Sequence, residues 1–288
     1  MTSHDVVNRV RRLLAERSVG HLGTLDPAAT GVLPLVAGRL TRLAQFYNGS
    51  DKAYEGEIRF GFATDTYDAE GESTTAMSAA RPTREDVERV AGRFRGVIRQ
   101  VPPPFSAKKI GGVPAYKLAR KKQEVSLEPV EVEIKCFEIT AVEGDRARFR
   151  AEVASGTYMR SVAHEMGQAL GMGAHLAALR RTRVAEFTLT DAHTLEEVQQ
   201  ALAEGADEQV FVHPRRLLPA LPAVTASDES AALIRAGRAV NLPEMSDAKL
   251  VRVFANQSEL LAIASRIAGT LFQPKVVLAG GGTGKGVS

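Results

Sequence analysis

Residues 19–38, VGHLGTLDPAATGVLPLVAG, hold a single acid, Asp26, among four glycines, two prolines, small apolar residues and one histidine, His21. Pro27 fixes its own φ and pushes Asp26 towards an extended backbone, so the carboxylate projects from a stiff turn. A carboxylate held this way could act as a nucleophile or a general base. Asp-Pro is equally an ordinary helix start, with Asp as N-cap and Pro at the first helical position. The local pattern alone leaves both readings open.

A second candidate is Arg160, in Ser155-Gly156-Thr157-Tyr158-Met159-Arg160, at an expected strand-to-helix junction. A guanidinium there could hold a carboxylate through two parallel hydrogen bonds. A third is the segment VPPPFSAKKIGGVPAYKLARKKQEV. It concentrates Lys108, Lys109, Lys117, Arg120, Lys121 and Lys122 around Tyr116. Such a run fits a solvated helix face, and it also fits a surface that follows a nucleic-acid backbone. Three other patterns fail on inspection. His164-Glu165 begins like a zinc-protease HExxH, but Gln168 stands where the second histidine must be. The acidic loop 64–71 lacks the acid spacing of an EF-hand. The tail from Gly280 mimics a phosphate-binding loop, but Ala279 replaces the first glycine and Gly286 the Ser or Thr. No metal site and no cofactor is expected.

Gly20-His21-Leu22-Gly23-Thr24-Leu25-Asp26-Pro27, followed by Ala29-Thr30-Gly31-Val32-Leu33-Pro34, resembles the active-site signature of the bacterial tRNA pseudouridine synthase B family. Further family blocks follow in order, over most of residues 1–215 and more weakly to about 279. The resemblance implies a tRNA partner and isomerisation of the uridine at position 55 of the T-loop. The base must leave the stack to be cleaved at C1′–N1, rotated and rejoined through C5. It implies that Asp26 is the catalytic aspartate and that Arg160 pairs with it. Tyr54 would stack on the flipped uracil, a role for which a core strand tyrosine is an equal alternative. Tyr158 and Leu179 would line the pocket, His21 would fill the vacated stack, and Gly23 and Thr24 would contact the RNA. Ser106-Ala107-Lys108-Lys109 and Tyr116 resemble an insertion, 102–129, that grips the tRNA arm, with Lys117 beside them. The acidic loop matches the family's Thr-Asp-Thr-x-Asp. Family members carry an upstream strand ending in Lys-Pro-x-Gly. This sequence starts after it, at Met1-Thr2-Ser3, which is expected to bear on stability and activity. A non-catalytic tRNA-binding protein and a synthase working within a guide-RNA complex are the alternatives.

The elements that must position these groups read as α+β. Helical spacing marks residues 4–16 and 83–94, the latter capped by Thr83, and the helix after Tyr158. Alternation marks a strand around Tyr54 to Phe60 and a hairpin turning at Glu143-Gly144-Asp145. A further strand is expected near 184–189, and a helix opened by Thr194 with Glu197. The expected architecture is a catalytic domain, 1–215, around a mixed, mainly antiparallel sheet. Pro214, Pro219 and Pro222 separate it from a small β-rich PUA-like RNA-binding module, 220–279, with 280–288 a disordered tail. With 288 residues and 44% hydrophobic content the chain reads as soluble and globular. It has no membrane-length apolar run and no signal peptide, and is expected to be a cytoplasmic monomer. One cysteine, Cys136, excludes an internal disulfide framework. The net charge of +3 permits RNA binding without demanding it.

Overall fold

Along Lys52–Phe60 the side chains of Tyr54, Ile58 and Phe60 are buried, whereas Glu55 is exposed. That alternation makes a one-sided strand, and the strand becomes the middle of a seven-stranded sheet. The computed structural model describes residues 1–121, 123 and 125–278. In spatial order the sheet runs Phe187–Thr188, Ala174–Val184, Lys52–Phe60, Arg146–Val153, Val130–Glu143, Gly96–Gln100, all antiparallel. The one parallel pairing is made by Thr30–Gly31, which lies against Arg180 and Arg181. The sheet is therefore mixed and mainly antiparallel, as expected.

Its inner face carries Ile58, Phe60, Ile134, Phe137 and Phe149, covered by Val87 and Val90 of helix Arg84–Ala91 and by Val162 and Met166 of helix Met159–Ala169. Thr83 caps the first of these helices through the Asp86 amide. The outer face is a ladder of surface ion pairs, Glu57 with Arg146 and Arg148, and Glu55 with Arg150. Pairs this exposed add little stability but keep the face wet.

The strand that follows helix Met159–Ala169 departs from the sequence reading. The strand expected near 184–189 is the end of a much longer one, Ala174–Val184, which reverses at Ala185 into the short Phe187–Thr188. Its period-2 signal is hidden by register shifts between Leu176 and Ala178 and between Arg181 and Arg183, and by a buried arginine where a hydrophobe would be read. In the C-terminal part, helix Asp228–Arg235 packs on a five-stranded sheet ordered Ala223–Thr225, Leu250–Phe254, Leu260–Ala268, Leu271–Val277, Val240–Asn241. This is the β-rich module the sequence implied. It shares a core with the first sheet: Leu43, Tyr47, Val184 and Phe187 meet Phe254, Ile263 and Val276. The proline-marked connection is pinned, because Arg252 donates to the carbonyls of Arg215, Leu217 and Leu221. The tail 280–288 lies outside the described residues. Among the described residues no helix is long and apolar enough to cross a membrane.

Candidate active site

No helix follows Asp26. The chain turns at Pro27 and Ala28, closed by the Ala29 amide on the Asp26 carbonyl at 2.9 Å, and then extends into Thr30–Gly31. The cap reading of Asp-Pro is therefore wrong for this chain, and the carboxylate is left for a tertiary partner. That partner is Arg160, whose Nε donates to Asp26 Oδ2 at 2.9 Å and whose Nη2 donates to Oδ1 at 3.0 Å. The pair is a two-pronged fork, the geometry in which a guanidinium fixes the plane of a carboxylate as well as its charge.

The rest of the guanidinium is also engaged. Nη1 donates to the Thr66 carbonyl at 3.2 Å, Nη2 to the Phe105 carbonyl at 3.1 Å, and Asp68 Oδ2 lies 3.6 Å from Nη1. The Arg160 side chain is only 7% exposed, against 36% for Asp26 and 12% for Asp68. One buried cation thus stands between two carboxylates, and the more open one, Asp26, faces outward. Arg160 sits in the first turn of helix Met159–Ala169, where the helix dipole repels a cation. Asp26 and Asp68 offset that cost. Asp68 is held in turn by Thr66, whose hydroxyl donates to Oδ1 at 2.6 Å. The acidic loop rejected as a calcium site is a wall of this site.

Two further residues, unmarked in the sequence, hold the frame. Gln100 is fully buried at the end of the edge strand. Its amide clamps the Tyr158 backbone, accepting from the N–H at 2.8 Å and donating to the carbonyl at 3.1 Å. That fixes the start of the helix that carries Arg160. Arg181, also fully buried, donates to the carbonyls of Val32 at 2.8 Å, Thr24 at 3.0 Å and Gly23 at 3.1 Å. It ties both ends of the Asp26 loop to the central sheet. Gly23 and Thr24, expected to contact RNA, lend their carbonyls to this clamp, and the Thr24 side chain is exposed. No sequence signal beyond a pair of adjacent arginines marked Arg181; a polar residue that replaces a hydrophobe on a buried strand leaves no periodic trace.

Gly31 shows how closely the loop is fitted. Its φ is +100°, and a Cβ there would stand 2.1 Å from the Arg181 carbonyl oxygen. Gly31→Ala is expected to lose at least about 2 kcal/mol of stability from backbone strain and collision. A urea-unfolding midpoint unchanged from the unsubstituted protein would contradict this packing.

Tyr54 is buried on the strand beside Arg181, its register partner. Tyr158 is half-buried at the helix start. Burial pushes both phenols above the ordinary tyrosine range; the Asp26 charge adds to the rise, and nearby arginines oppose it. Both rings are therefore neutral surfaces near the carboxylate and not bases. Leu179, half-buried, lies opposite Gly56 on the next strand, two residues before Arg181. His21 Nδ1 accepts from the Gly23 amide at 3.3 Å, and burial together with Arg181 pushes its pKa down. It is neutral at pH 7 and suited to packing. Lys108, Lys109 and Lys117 stand apart from these groups on an exposed insertion, where Lys109–Ile110 pairs with Val113–Pro114 and the short helix Ala115–Ala119 carries Tyr116. None of the three lysines is in an ion pair among the described residues. Lys122 lies outside those residues. The insertion is joined to the site at its base, through the Phe105 carbonyl on Arg160.

A family model described as the TruB family pseudouridylate synthase N-terminal domain matches residues 11–159, and one described as the tRNA pseudouridylate synthase B C-terminal domain matches 160–225. The chain belongs to the TruB family of pseudouridylate synthases. Over 280 residues, 96% of each chain, it is 48% identical to the tRNA pseudouridine synthase B of Solibacter usitatus. It is 46% identical to that of Symbiobacterium thermophilum over 240 residues, covering 82% of this chain and 78% of the relative. The fold also matches a chain of an archaeal box H/ACA sRNP Nop10–Cbf5 complex, with a TM-score of 0.70 and 24% identity. That match covers 97% of this chain and 83% of the other. At that identity the likeness shows the fold alone. The boundary between the two TruB models falls between Met159 and Arg160, so the carboxylate and its arginine come from different family segments and meet only in the fold.

Proposed function

We propose that this TruB-family synthase isomerises uridine 55 in the T-loop of tRNA, as a monomer acting in the cytoplasm. The observation that carries the reading is the outward-facing Asp26 carboxylate forked by buried Arg160, with the neutral rings of Tyr54 and Tyr158 close by. Breaking C1′–N1 needs a nucleophile or base near the sugar and C6, and the freed uracil needs a stacking surface shielded from water. Asp26 supplies the first, Tyr54 the stacking surface, and Tyr158 with Leu179 the walls. His21 fills the place the uridine leaves in the RNA stack. Curated relatives named tRNA pseudouridine synthase B support tRNA as the substrate. A protein that only bound tRNA would have no use for a carboxylate held by two guanidinium hydrogen bonds. Incubation with a T-arm stem-loop followed by nucleoside analysis tests the reading. Conversion of the uridine at position 55 supports it; RNA that is bound and returned unmodified overturns it.

Residues 1–215 act as the catalytic domain in this reading, and 102–129 and the C-terminal sheet as the RNA-gripping parts. Recognition rests on the shape of the folded arm and its splayed loop bases. Replacing Lys108, Lys117 and Lys121 together by Gln should weaken stem-loop binding and reduce the slope of log K against log salt by roughly 2, at about 0.7–0.9 per lost phosphate contact. An unchanged slope would place the RNA on another surface.

A further inference from the structure

Asp26 and Arg160 neutralise one another, with Asp68 behind them. At the two ends of the Asp26 loop the charges do not cancel. Arg181 is wholly buried, and its hydrogen bonds go to carbonyl oxygens. Lys52 is half-buried beside it. The point where a Cβ on Gly23 would stand is 3.4 Å from Lys52 Cε and 3.9 Å from Arg181 Nη1, so the two side chains flank the same glycine. The Lys52 ammonium donates to the Ser50 carbonyl at 3.1 Å. Its neighbouring acid, Asp51, is engaged by Lys135 at 2.6 Å. Among the described residues neither Lys52 nor Arg181 is in a salt bridge.

Two cations held together in partly desolvated surroundings cost stability. Burial and Arg181 together push the Lys52 pKa down. The clamp on three carbonyls accounts for Arg181. It does not account for Lys52, whose long stem could carry the ammonium into solvent at no such cost. Gly23, with φ +123°, keeps the space between the two cations open. Lys52 lies two residues before Tyr54 on one strand, hence on the same face and about 6.6 Å along it. That is the separation of a base from the backbone of its own nucleotide, to within one sugar.

We propose that Lys52, reinforced by the charge of Arg181, is a phosphate-binding subsite for the phosphodiester that adjoins the flipped uridine. The assignment rests on the T-loop reading above, because it needs a base on Tyr54. A compact ammonium takes a phosphate as a point charge, without a fixed geometry. The site lacks an anion of its own, and the substrate brings one.

The test is a cycle between the protein and the RNA. T-arm stem-loops with ordinary linkages, or with a single uncharged methylphosphonate on either side of the target uridine, are titrated against the unsubstituted protein, K52Q and K52R across a salt series. K52Q should bind the ordinary RNA about tenfold more weakly, with a salt slope smaller by about 0.7, and K52R should keep the slope. One of the two neutral linkages should weaken the unsubstituted protein by a similar factor and leave K52Q unaffected. K52Q should also melt no lower than the parent, since a like-charge contact has been removed; a structural lysine would leave a lower melting point. Equal penalties from both neutral linkages against both proteins, or an unchanged slope, overturn the subsite. Pseudouridine formation in the same tubes keeps the two readings apart. A parent that binds but does not convert refutes the isomerase reading while the cycle still decides on Lys52, and a parent that does not bind refutes both.

Discussion

Asp26→Asn is expected to bind the T-arm stem-loop as the unsubstituted protein does and to form pseudouridine at least a thousandfold more slowly, at about the scale of losses seen when a reacting side chain is removed. Asn keeps the size and one acceptor oxygen, so the Arg160 fork loses one prong while the contacts to the Thr66 and Phe105 carbonyls and to Asp68 remain. The loop itself is held by Arg181 through backbone carbonyls, which the substitution does not touch. Binding and fold are thus insulated from the change, and chemistry is not. Single-turnover nucleoside analysis beside a binding titration separates the two. Turnover within tenfold of the parent would remove Asp26 from the reaction. A parallel loss of affinity would mean that the carboxylate serves recognition.

How much of this could be read from the sequence depends on what each residue does. Asp26 was legible because its neighbours Gly20 to Pro34 form an ordered, specific string, although the Asp-Pro step alone also fitted a helix cap that the fold does not contain. Helix Ser3–Leu13 was legible from spacing, and its capping box of Thr2 with Asp5 is present. The partnership of Asp26 with Arg160 joins residues 134 positions apart. No local pattern encodes such a contact, and only the family resemblance supplied it. Asp68 was visible as an acid but not as a partner, since an acidic loop looks the same whether it faces water or a buried guanidinium. Gln100 and Arg181 were missed altogether. Each is a polar residue that is wholly buried because its bonds go to backbone, and hydrophobic periodicity is blind to such residues. The long strand Ala174–Val184 was half-lost for the same reason, its alternation broken by two register shifts and by Arg181.

Arg160→Lys should damage both stability and turnover, although it preserves charge. Lysine brings a single ammonium with no planar fork, and the site uses the fork in full. Two donors aim the Asp26 carboxylate, and others satisfy the carbonyls of Thr66 and Phe105, which belong to the loops on either side. A lysine that reaches Asp26 abandons those carbonyls. Each buried acceptor left unpaired costs about 1–3 kcal/mol, so with two of them stability should fall by roughly 2–6 kcal/mol. Turnover should fall at least about a hundredfold, because a carboxylate held at one point rotates out of the orientation that the reaction needs. KM should rise as well, since the Phe105 contact anchors the base of the insertion proposed to grip the RNA. The double variant Asp26→Asn/Arg160→Lys should be scarcely slower than Asp26→Asn alone, the strong non-additivity expected of groups that act as one. Denaturation midpoints and single-turnover rates on the same three proteins measure all of this. A lysine variant with parental stability and turnover within twofold would show that Arg160 contributes charge alone and that the fork geometry has no consequence for catalysis.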